Sequence, residues 1–574
     1  QFANVTYNVL RGGIPLQGYT IDTADFATFV LSRNRHVASR RRPWFEALPE
    51  QMGRGALREA IAATQDAQLM RLGFEYLPFG FSRRHGDPSR PWNQFSIRVR
   101  DELGRASLYY EGNWRDIFQN WEALCMSFPE YLPDVVSVFV NASTPDGFNP
   151  YRITRDGIDW EVPDPDDPWS NIGYWGDHQI VYLLRLLEAT DRYLPGVLEQ
   201  LLAEPWFSYA DVPYRIAPYD EMVRDPKATI RFDVDAERRS EARVDEVGGD
   251  GRLLWGRDRE VYLVTLMEKL VVPALAKLSN YVPGGGIWMN TQRPEWNDAN
   301  NALVGYGLSM VTLYQLRRYL SRLRLIVDSA GVNAVQMSIE VSDWLAAITG
   351  VLRGNLGLVG VGADDRQRKN LMDELGWAFF EYRSRVYASG FSGTTSVDLA
   401  RVAELCETAI EHVDDTIRRN RRADGLYHSY NLIQFTADGS GARIENLYEM
   451  LEGQVNVLGA GVLSAEESAE VLDALFESAM YRSDQRSFML YPARSLPSFL
   501  DKNIIPNRDV AANPLLGALV DADDGSVVMI DAEGRYRFNS DLANQADLAA
   551  ALDRLAINDR WSELVAAHRA TVLD

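Results

Sequence analysis

One glycine-hinged loop brings together the side chains that cleavage of a sugar chain requires. The segment 284–301 reads GGGIWMNTQRPEWNDANN and carries two carboxylates, Glu295 and Asp298, with two indoles and several amides. Glycosidic cleavage needs a carboxylic acid to protonate the leaving oxygen, and aromatic and amide groups hold sugar hydroxyls. The same residues could instead cap a helix, with Asp298 or Asn297 as N-cap and Glu295 in solvent. Composition alone leaves both interpretations open.

Two further aromatic clusters lead into helix-like segments. Trp114 is followed by Arg115 and Asp116, an adjacent pair that could hold sugar hydroxyls through charge-assisted hydrogen bonds. In the second cluster, Asp177 stands next to His178 at the predicted start of a helix. The structural alternatives are a capping aspartate with an exposed arginine in the first case, and a histidine without a chemical role in the second.

The elements that must position these loops are mainly helices. Over 395–419, apolar residues recur at spacings of three to five, which puts them on one helical stripe. Residues 302–314 are apolar on nearly every side, which is typical of a helix buried all round in an inner layer. Strand signals are few, with hairpins predicted at 95–110 and 526–538. Further helices are predicted at 178–203, 258–280, 299–329, 332–352, 366–388, 464–480, 544–555 and 560–571.

Composition and charge restrict the class of protein. The 574 residues are 46% hydrophobic and 24% charged, as in an ordinary globular chain, and the net charge of −22 would repel a nucleic-acid backbone. Cys125 and Cys406 are too few for a disulfide framework and have no metal-ligand spacing. No apolar run is long enough to span a bilayer, so we expect a soluble, cytoplasmic protein. A start at Gln1 suggests processing or a longer parent chain.

No domain boundary is persuasive from sequence. We expect a segment 1–110 that leads into a domain 111–574, continuous with it and possibly incomplete at its C-terminal end. The stretch 233–252, in which acidic and basic residues alternate, is the best candidate for a mobile insertion.

The three aromatic clusters together resemble the cellobiose and chitobiose phosphorylase family. The run WRDIFQN at 114–120 resembles the family's Arg-Asp-x-x-Gln-Asp segment, and DHQ at 177–179 resembles the run that opens its next inner helix. The run EWNDANN at 295–301 resembles the family's Asp-Trp-Asn-Asp-x-x-Asn motif. The resemblance covers about 110–310 and implies a mainly α fold, an (α/α)6 toroid of the six-hairpin glycosidase type with long aromatic-rich loops and minor β-hairpins. It also implies an enzyme that cleaves glycosidic bonds with inversion.

The resemblance assigns roles to the residues of these loops. Asp298 would be the general acid, and Arg115, Asp116 and Trp296 would contact the sugar whose bond is broken. Because Glu295 replaces the family's first aspartate, which carboxylate reaches the glycosidic oxygen stays open. A tryptophan-lined pocket would keep this acid protonated by raising its pKa. The remaining candidates for sugar contact are Trp114, Trp175, Asp177, His178, Asn297 and Gln454.

The nucleophile is either water or phosphate. An inverting hydrolase needs a second carboxylate about 6.5–9.5 Å from the acid to activate water, whereas phosphate attacks without a base. Glu449 and Glu452 lie one helical turn apart, and Glu449 is the preferred base, although both could be solvated. The candidates for binding phosphate are Arg83, Arg84 and His85, joined by His428.

The arginine-rich loop could equally pair with Asp87. Because the family's phosphate-binding signature is not found near the C-terminus, hydrolysis is favoured over phosphorolysis. The alternative from another class is an inactive carbohydrate-binding or scaffold toroid.

The sequence predicts few other ligands. We expect no cofactor, with inorganic phosphate as co-substrate if the enzyme is a phosphorylase. We expect no metal, because the run DADDG at 521–525 lacks the spacing and closing glutamate of an EF-hand. Gly284–Gly286 lacks the Lys-Ser/Thr ending of a nucleotide-binding loop. The expected partner is an oligo- or polysaccharide, not a nucleic acid or a membrane, with a further domain or chain completing the barrel, or a homodimer.

Overall fold

Helices make up most of the described chain, as the sequence predicts. A computed structural model describes residues 14–80, 100, 104, 108–149, 152–164, 166, 179–290, 303–436, 438–493, 498, 501, 503–542 and 544–573. The arrangement of these helices as an (α/α)6 toroid stays a prediction. The chain divides into two compact units, Gln1–Pro492 and Ala493–Asp574. The segment 1–110 leading into one continuous domain 111–574 stays a prediction.

The first unit contains the helices of all three predicted site clusters. Its first helices are α1 (Thr23–Arg33), α2 (Arg35–Arg40), α3 (Arg42–Glu46), α4 (Arg54–Ala62), α5 (Ala67–Glu75), α6 (Trp114–Cys125), α7 (Leu132–Asn141), α8 (Gln179–Tyr193) and α9 (Val197–Leu201). They are followed by α10 (Tyr219–Arg224), α11 (Val234–Val247), α12 (Leu266–Leu278), α13 (Met310–Ser329), α14 (Ile339–Gly354), α15 (Asp365–Ser389), α16 (Leu399–Arg419), α17 (Leu451–Gly459) and α18 (Ala465–Glu477). Short 3₁₀ turns lie at Pro129–Tyr131, Gly249–Arg252 and Leu356–Leu358.

The strands of this unit are short and antiparallel. They are β1 (Ile14–Pro15), β2 (Thr20–Asp22), β3 (Gln51–Gly53), β4 (Phe79–Gly80), β5 (Glu111–Asn113), β6 (Arg152–Thr154), β7 (Gly157–Asp159), β8 (Tyr214–Ile216) and β9 (Ile230–Phe232). The others are β10 (Tyr281–Val282), β11 (Gly286–Trp288), β12 (Gly307–Ser309), β13 (Ala334–Ser338), β14 (Thr394–Asp398), β15 (Tyr430–Phe435), β16 (Ala442–Asn446), β17 (Tyr481–Arg482) and β18 (Ser487–Phe488).

Apolar stripes explain why the long helices form and pack. The predicted stripe of α16 is confirmed: each of its main members is fully buried, at Val402, Leu405, Ala409, Val413 and Ile417. The helix begins behind Asp398, whose side chain accepts a hydrogen bond from the backbone N–H of Ala400 and so satisfies an N-terminal donor. The buried stripe then holds α16 against α13 and α14.

Two predicted helices begin later than their apolar pattern suggests. β13 and β14 pair over five residues and precede α14 and α16 directly, so the first residues of the predicted helices at 332–352 and 395–419 are strands. A short apolar pattern is compatible with either a helix or a strand. Here the pairing of two segments that lie about 60 residues apart in sequence selects the strand.

A five-stranded sheet is the feature that helical periodicity misses most clearly. Its order is β10-β11-β12-β15-β16. The prediction of a buried helix over 302–314 is wrong at Gly307–Ser309, which pairs with residues 430–432. Gly305, with φ of 86°, turns the chain into this strand, and Ser309 then caps α13. Residues 310–314 are helical and buried as expected, whereas 304–306 form a turn.

The stretch 233–252, the candidate for a mobile insertion, contains a helix and a buried carboxylate with distant partners. Asp233 accepts a hydrogen bond from the backbone N–H of Ala236 and caps α11. After this helix, Asp250 is fully buried and accepts hydrogen bonds from Arg33 and Arg71 of the N-terminal helices. Charge patterning in sequence does not distinguish a solvated stretch from one whose acid pairs with distant arginines.

The second unit has its own apolar core. It contains the helices α19 (Asn507–Ala512), α20 (Pro514–Asp521), α21 (Gln545–Ala556) and α22 (Ser562–Leu573), and the strands β19 (Ile504–Ile505), β20 (Val528–Ile530) and β21 (Tyr536–Phe538). The hairpin predicted at 526–538 is confirmed by the pairing of β20 with β21. Asp524, part of the calcium-like run, accepts hydrogen bonds from Ser526 and Trp561 and shapes a turn.

Candidate active site

The five-stranded sheet positions two of the segments in which carboxylate chemistry is predicted. β11 and β12 flank residues 291–302, which include the predicted acid, and the chain leaves β16 toward the predicted bases. At the base of the first segment, the backbone N–H of Gly305 donates to Met289 O (2.7 Å), and that of Met289 donates to Gly307 O (2.9 Å). The indole N–H of Trp288 donates to Gly305 O (2.8 Å). The two ends of this segment are therefore fixed next to each other.

A small hydrophobic cluster connects these ends with the segment of the predicted bases. Met289 and Leu303, on either side of 291–302, pack in one cluster with Tyr430, Tyr448 and Met450. Glu449 lies between the last two of these residues in sequence. The structure thus brings the segment of Glu449 to the base of the segment that contains Asp298.

Glu449 forms an ion pair that sequence reasoning missed. Its Oε2 accepts a hydrogen bond from Nη2 of Arg422 (3.1 Å), and each side chain is 20% exposed. Arg422 also pairs with Asp424 (2.8 Å). Burial alone would raise the pKa of Asp424, but the hydrogen bonds from Arg422 and the Leu426 N–H hold it below its usual value. No signal in the sequence links Arg422 to Glu449, because 27 residues separate them.

Glu452 and Gln454 lie in the first turn of α17 and differ in their partners. Glu449 precedes this helix, so the prediction that Glu449 and Glu452 lie one turn apart on a helix face is wrong. Oε2 of Glu452 accepts a hydrogen bond from the phenol of Tyr430 (2.8 Å). The amide of Gln454 is fully buried: it accepts from the Tyr427 N–H (2.8 Å) and donates to the carbonyls of Tyr427 and Met450 (2.7 and 2.9 Å). Gln454 therefore holds the chain around Tyr427 in place, and a sugar contact by it stays a prediction.

His428 lies beside this carboxylate segment. Nδ1 is 2.9 Å from the carbonyl oxygen of Leu447, to which the ring donates. Burial lowers the pKa of His428, and the positive charge of Arg422 acts in the same direction. The ring is therefore held neutral near pH 7, which suits hydrogen bonding better than binding an anion by charge.

The second predicted cluster starts at α6. Trp114 is fully buried and contacts the rings of Phe139 and Tyr182 edge to face, with centroids 6.2 and 5.7 Å apart. Its ring anchors the start of the helix in the core, and a sugar contact by it stays a prediction. Arg115 and Asp116 occupy the first turn of the same helix, and their side chains lie outside the described part.

Most of the other predicted site residues also lie outside the described residues. They are Arg83, Arg84, His85, Trp175, Asp177, His178, Glu295, Trp296, Asn297 and Asp298. Two cavities in the described part, of about 400 and 430 Å³, are lined by none of the predicted site residues. Within the described ranges, no group of three or more His, Cys, Asp or Glu side chains could hold a metal ion. No helix among those described is long and apolar enough to cross a membrane.

Comparison with family models finds two matching segments. Residues 17–78 match glycoside hydrolase family 149 insertion domain 1, and residues 496–574 match GH149 phosphorylase insertion domain 2. The matches indicate a GH149 phosphorylase-like protein. They support a carbohydrate-active enzyme, a hydrolase or a phosphorylase, as the sequence predicts. No curated protein matches it.

The two matched segments agree with the structural divisions of the chain. The match at 496–574 coincides closely with the compact unit Ala493–Asp574. The match at 17–78 contains α1–α5, which share a hydrophobic cluster of their own. Every predicted site residue lies between the two matches, so the comparison supports the class of enzyme and assigns no residue a role.

Proposed function

We propose that this chain is a glycoside phosphorylase, which cleaves a bond of an oligo- or polysaccharide with phosphate and releases a sugar 1-phosphate. The observation that carries the proposal is the match of residues 496–574, since the family model that matches them is that of a phosphorylase insertion domain. The sequence alone favours hydrolysis, and this match reverses that preference.

The proposed reaction is a single displacement with inversion. Asp298 donates its proton to the glycosidic oxygen, and the bond from this oxygen to the anomeric carbon breaks. A phosphate oxygen bonds to that carbon from the opposite face. Arg115, Asp116 and Trp296 hold the sugar in this proposal, and Glu295 is the second candidate for the acid. No cofactor besides phosphate is needed.

The partners of Glu449 support phosphorolysis. A general base must accept a proton from water, but the ion pair with Arg422 stabilises the charged carboxylate and opposes its protonation. Phosphorolysis needs no base, and Arg422 then offers a guanidinium in the neighbourhood of the cleavage site. We propose that it joins Arg83, Arg84 and His85 in attracting phosphate, whereas His428, with its lowered pKa, adds no charge.

Hydrolysis is the second candidate, and one observation favours it. The segment of Glu449 packs at the base of the segment that carries Asp298, which is where an inverting hydrolase would need its second carboxylate. Glu452, in the first turn of α17, is the reserve candidate. An inactive carbohydrate-binding toroid is the third candidate. Three further predictions stay predictions: a cytoplasmic location, a further domain or chain, and a homodimer.

One experiment separates these functions. A panel of α- and β-linked gluco-oligosaccharides is incubated with the protein, with and without inorganic phosphate, and both sugar 1-phosphate and reducing ends are quantified. The variants are Asp298→Asn, Glu449→Gln and, as a matched control, Asp235→Asn, whose side chain is 78% exposed and paired with Arg238.

The expected result is phosphate-dependent release of sugar 1-phosphate. Loss of a general acid typically lowers kcat by about 10²–10⁴-fold, so Asp298→Asn should fall in this range and Asp235→Asn should match the wild type. Glu449→Gln should keep most of the activity. Cleavage without phosphate that depends on Glu449 would establish hydrolysis, and binding without any cleavage would establish the inactive toroid.

A further inference from the structure

Two amide side chains in the core have no hydrogen-bond partner at either end. Asn149 and Gln179 are both fully buried, and neither the oxygen nor the nitrogen of either amide has a partner. They are the two amides in the described residues of which this is true. Buried polar groups are nearly always hydrogen-bonded in proteins, so four polar atoms without a hydrogen bond on two residues require an explanation.

The position of Gln179 follows from the pairing of α6 with α8. Gln119 donates to the phenol of Tyr182 (2.9 Å), and Arg185 donates to Glu122 (2.6 to 3.0 Å). Both pairs have a sequence separation of 63, so the two helices run in the same direction and in constant register. By the same separation, Gln179 lies level with residue 116, in the first turn of α6.

Asn149 precedes a strand that pairs next to the start of α6. β5, which leads directly into α6, pairs with β6 so that Asn113 lies opposite Arg152. Asn149 precedes Arg152 by three residues, so its Cα lies within about 11 Å of the residue opposite Asn113. The loop before it is rigid: the Thr144 N–H donates to Phe148 O (2.7 Å), and Gly147, with φ of 82°, packs against α12.

We infer that Asn149 and Gln179 bind hydroxyl groups of the sugar substrate. An amide offers two donors and an acceptor, and a sugar hydroxyl offers one donor and two acceptor lone pairs, so the two chemistries complement each other. Both amides lie at the end of α6 that carries Arg115 and Asp116. The inference rests on the proposed function, and it assigns to its substrate two neutral contacts: Gln179, which ends the DHQ run, and Asn149, which lies in none of the sequence motifs.

The test removes the amides without changing their shape. Asn149→Leu and Gln179→Met replace each side chain by an apolar one of similar volume, which is neutral or stabilising where the polar atoms had no partner. The matched controls are Asn141→Leu and Gln454→Met. Both control amides are buried and bonded at both ends, Asn141 to Glu75 (2.7 Å) and to the Ser208 N–H (2.9 Å). Tm of the free protein and KM for the gluco-oligosaccharide panel are measured.

We expect the Tm of Asn149→Leu and Gln179→Met to equal or exceed that of the wild type, while both controls lower it. We expect KM to rise about ten-fold or more for each, since a lost hydrogen bond of typical strength has about this effect on affinity. A Tm that falls as far as in the controls would overturn the inference, because it would mean that the amides have structural partners such as buried water. Unchanged Tm together with unchanged KM would overturn it as well.

The same samples separate this inference from the proposed function. If the wild type cleaves none of the oligosaccharides, with or without phosphate, the proposed function fails. The inference is then judged by the rise in Tm that the oligosaccharides cause: a rise in the wild type that the two variants lose supports it, and no rise in the wild type overturns it.

Discussion

The buried charge network around Asp250 allows a quantitative prediction. Asp250 is fully buried and accepts hydrogen bonds from Arg33 Nε (3.3 Å), Asn34 Nδ2 (2.9 Å) and Arg71 Nη1 (3.3 Å). Glu75 is the other carboxylate that pairs with both arginines. The network therefore holds two guanidinium groups and two carboxylates away from water, and it joins the segment 17–78 to the end of α11.

Asp250→Asn keeps the shape of the side chain and removes its charge. Two buried arginines then share Glu75 alone, and breaking a buried ion pair costs about 3–5 kcal/mol. Unfolding entropy of about 2.1 cal/mol/K per residue gives roughly 1 kcal/mol/K for a unit the size of Gln1–Pro492, so Tm should fall by about 3–5 °C. The control Asp235→Asn removes a pair with side chains 72% and 78% exposed, and its Tm should change by less than about 1 °C.

Scanning calorimetry measures both variants, and hydrogen exchange of 234–252 measures local order. In the wild type, the amides of α11 should be protected, and in Asp250→Asn this protection should weaken first near residue 250. If Asp250→Asn and Asp235→Asn lower Tm equally, the argument from the buried network is refuted. Rapid exchange over 234–252 in the wild type would restore the interpretation of this stretch as a mobile insertion.

Three further predictions concern a glycine, a hydrogen bond and a histidine. Gly248→Ala should destabilise the protein by about 2 kcal/mol or more, because φ of Gly248 is 100° and the new Cβ would lie 2.3 Å from Ser32 O. The Tm of the variant measures this loss. The control is Gly331→Ala, where the new Cβ meets open space and Tm should not change. A double-mutant cycle of Tyr430→Phe and Glu452→Gln should give a coupling energy of about 1.5 kcal/mol in Tm or denaturant measurements, and additivity would contradict it. Burial lowers the pKa of His412 in the folded protein, so the unfolded state binds a proton first and stability is lost as pH falls through about 6.5. The Tm of His412→Gln should therefore drop less than that of the wild type between about pH 7.5 and 5.5. Equal drops in Tm would contradict this.

The elements that sequence predicts well are those stabilised by neighbours in sequence. The stripe of α16 is an example, since every third or fourth residue from Val402 to Ile417 faces the core. The hairpin of β20 and β21 has its turn, its alternation and its partner within 11 residues. Local periodicity is sufficient in both cases because the contacts that select the structure are themselves local.

The features that sequence misses depend on distant partners. Gly307–Ser309 is a strand because residues 430–432 pair with it, although its own pattern continues that of a buried helix. Asp250 is ordered by Arg33, 217 residues away, and nothing in the alternating charges around it indicates this. For the candidate site, the sequence identifies Glu449 as a candidate general base. Its ion pair with Arg422, which the sequence does not indicate, opposes the protonation that this role requires.

The charge around Glu449 also limits how phosphorolysis could work. Arg422 is shared by the carboxylates of Asp424 and Glu449, so this cluster has a net charge of −1. The half-buried His428 has a lowered pKa and therefore adds no positive charge near pH 7. A phosphate dianion is repelled by such a cluster unless other cations outweigh it. A phosphorylase built on this chain therefore requires cations beyond Arg422. Arg83 and Arg84 are the candidates that the sequence offers, whereas a hydrolase would need neither of them.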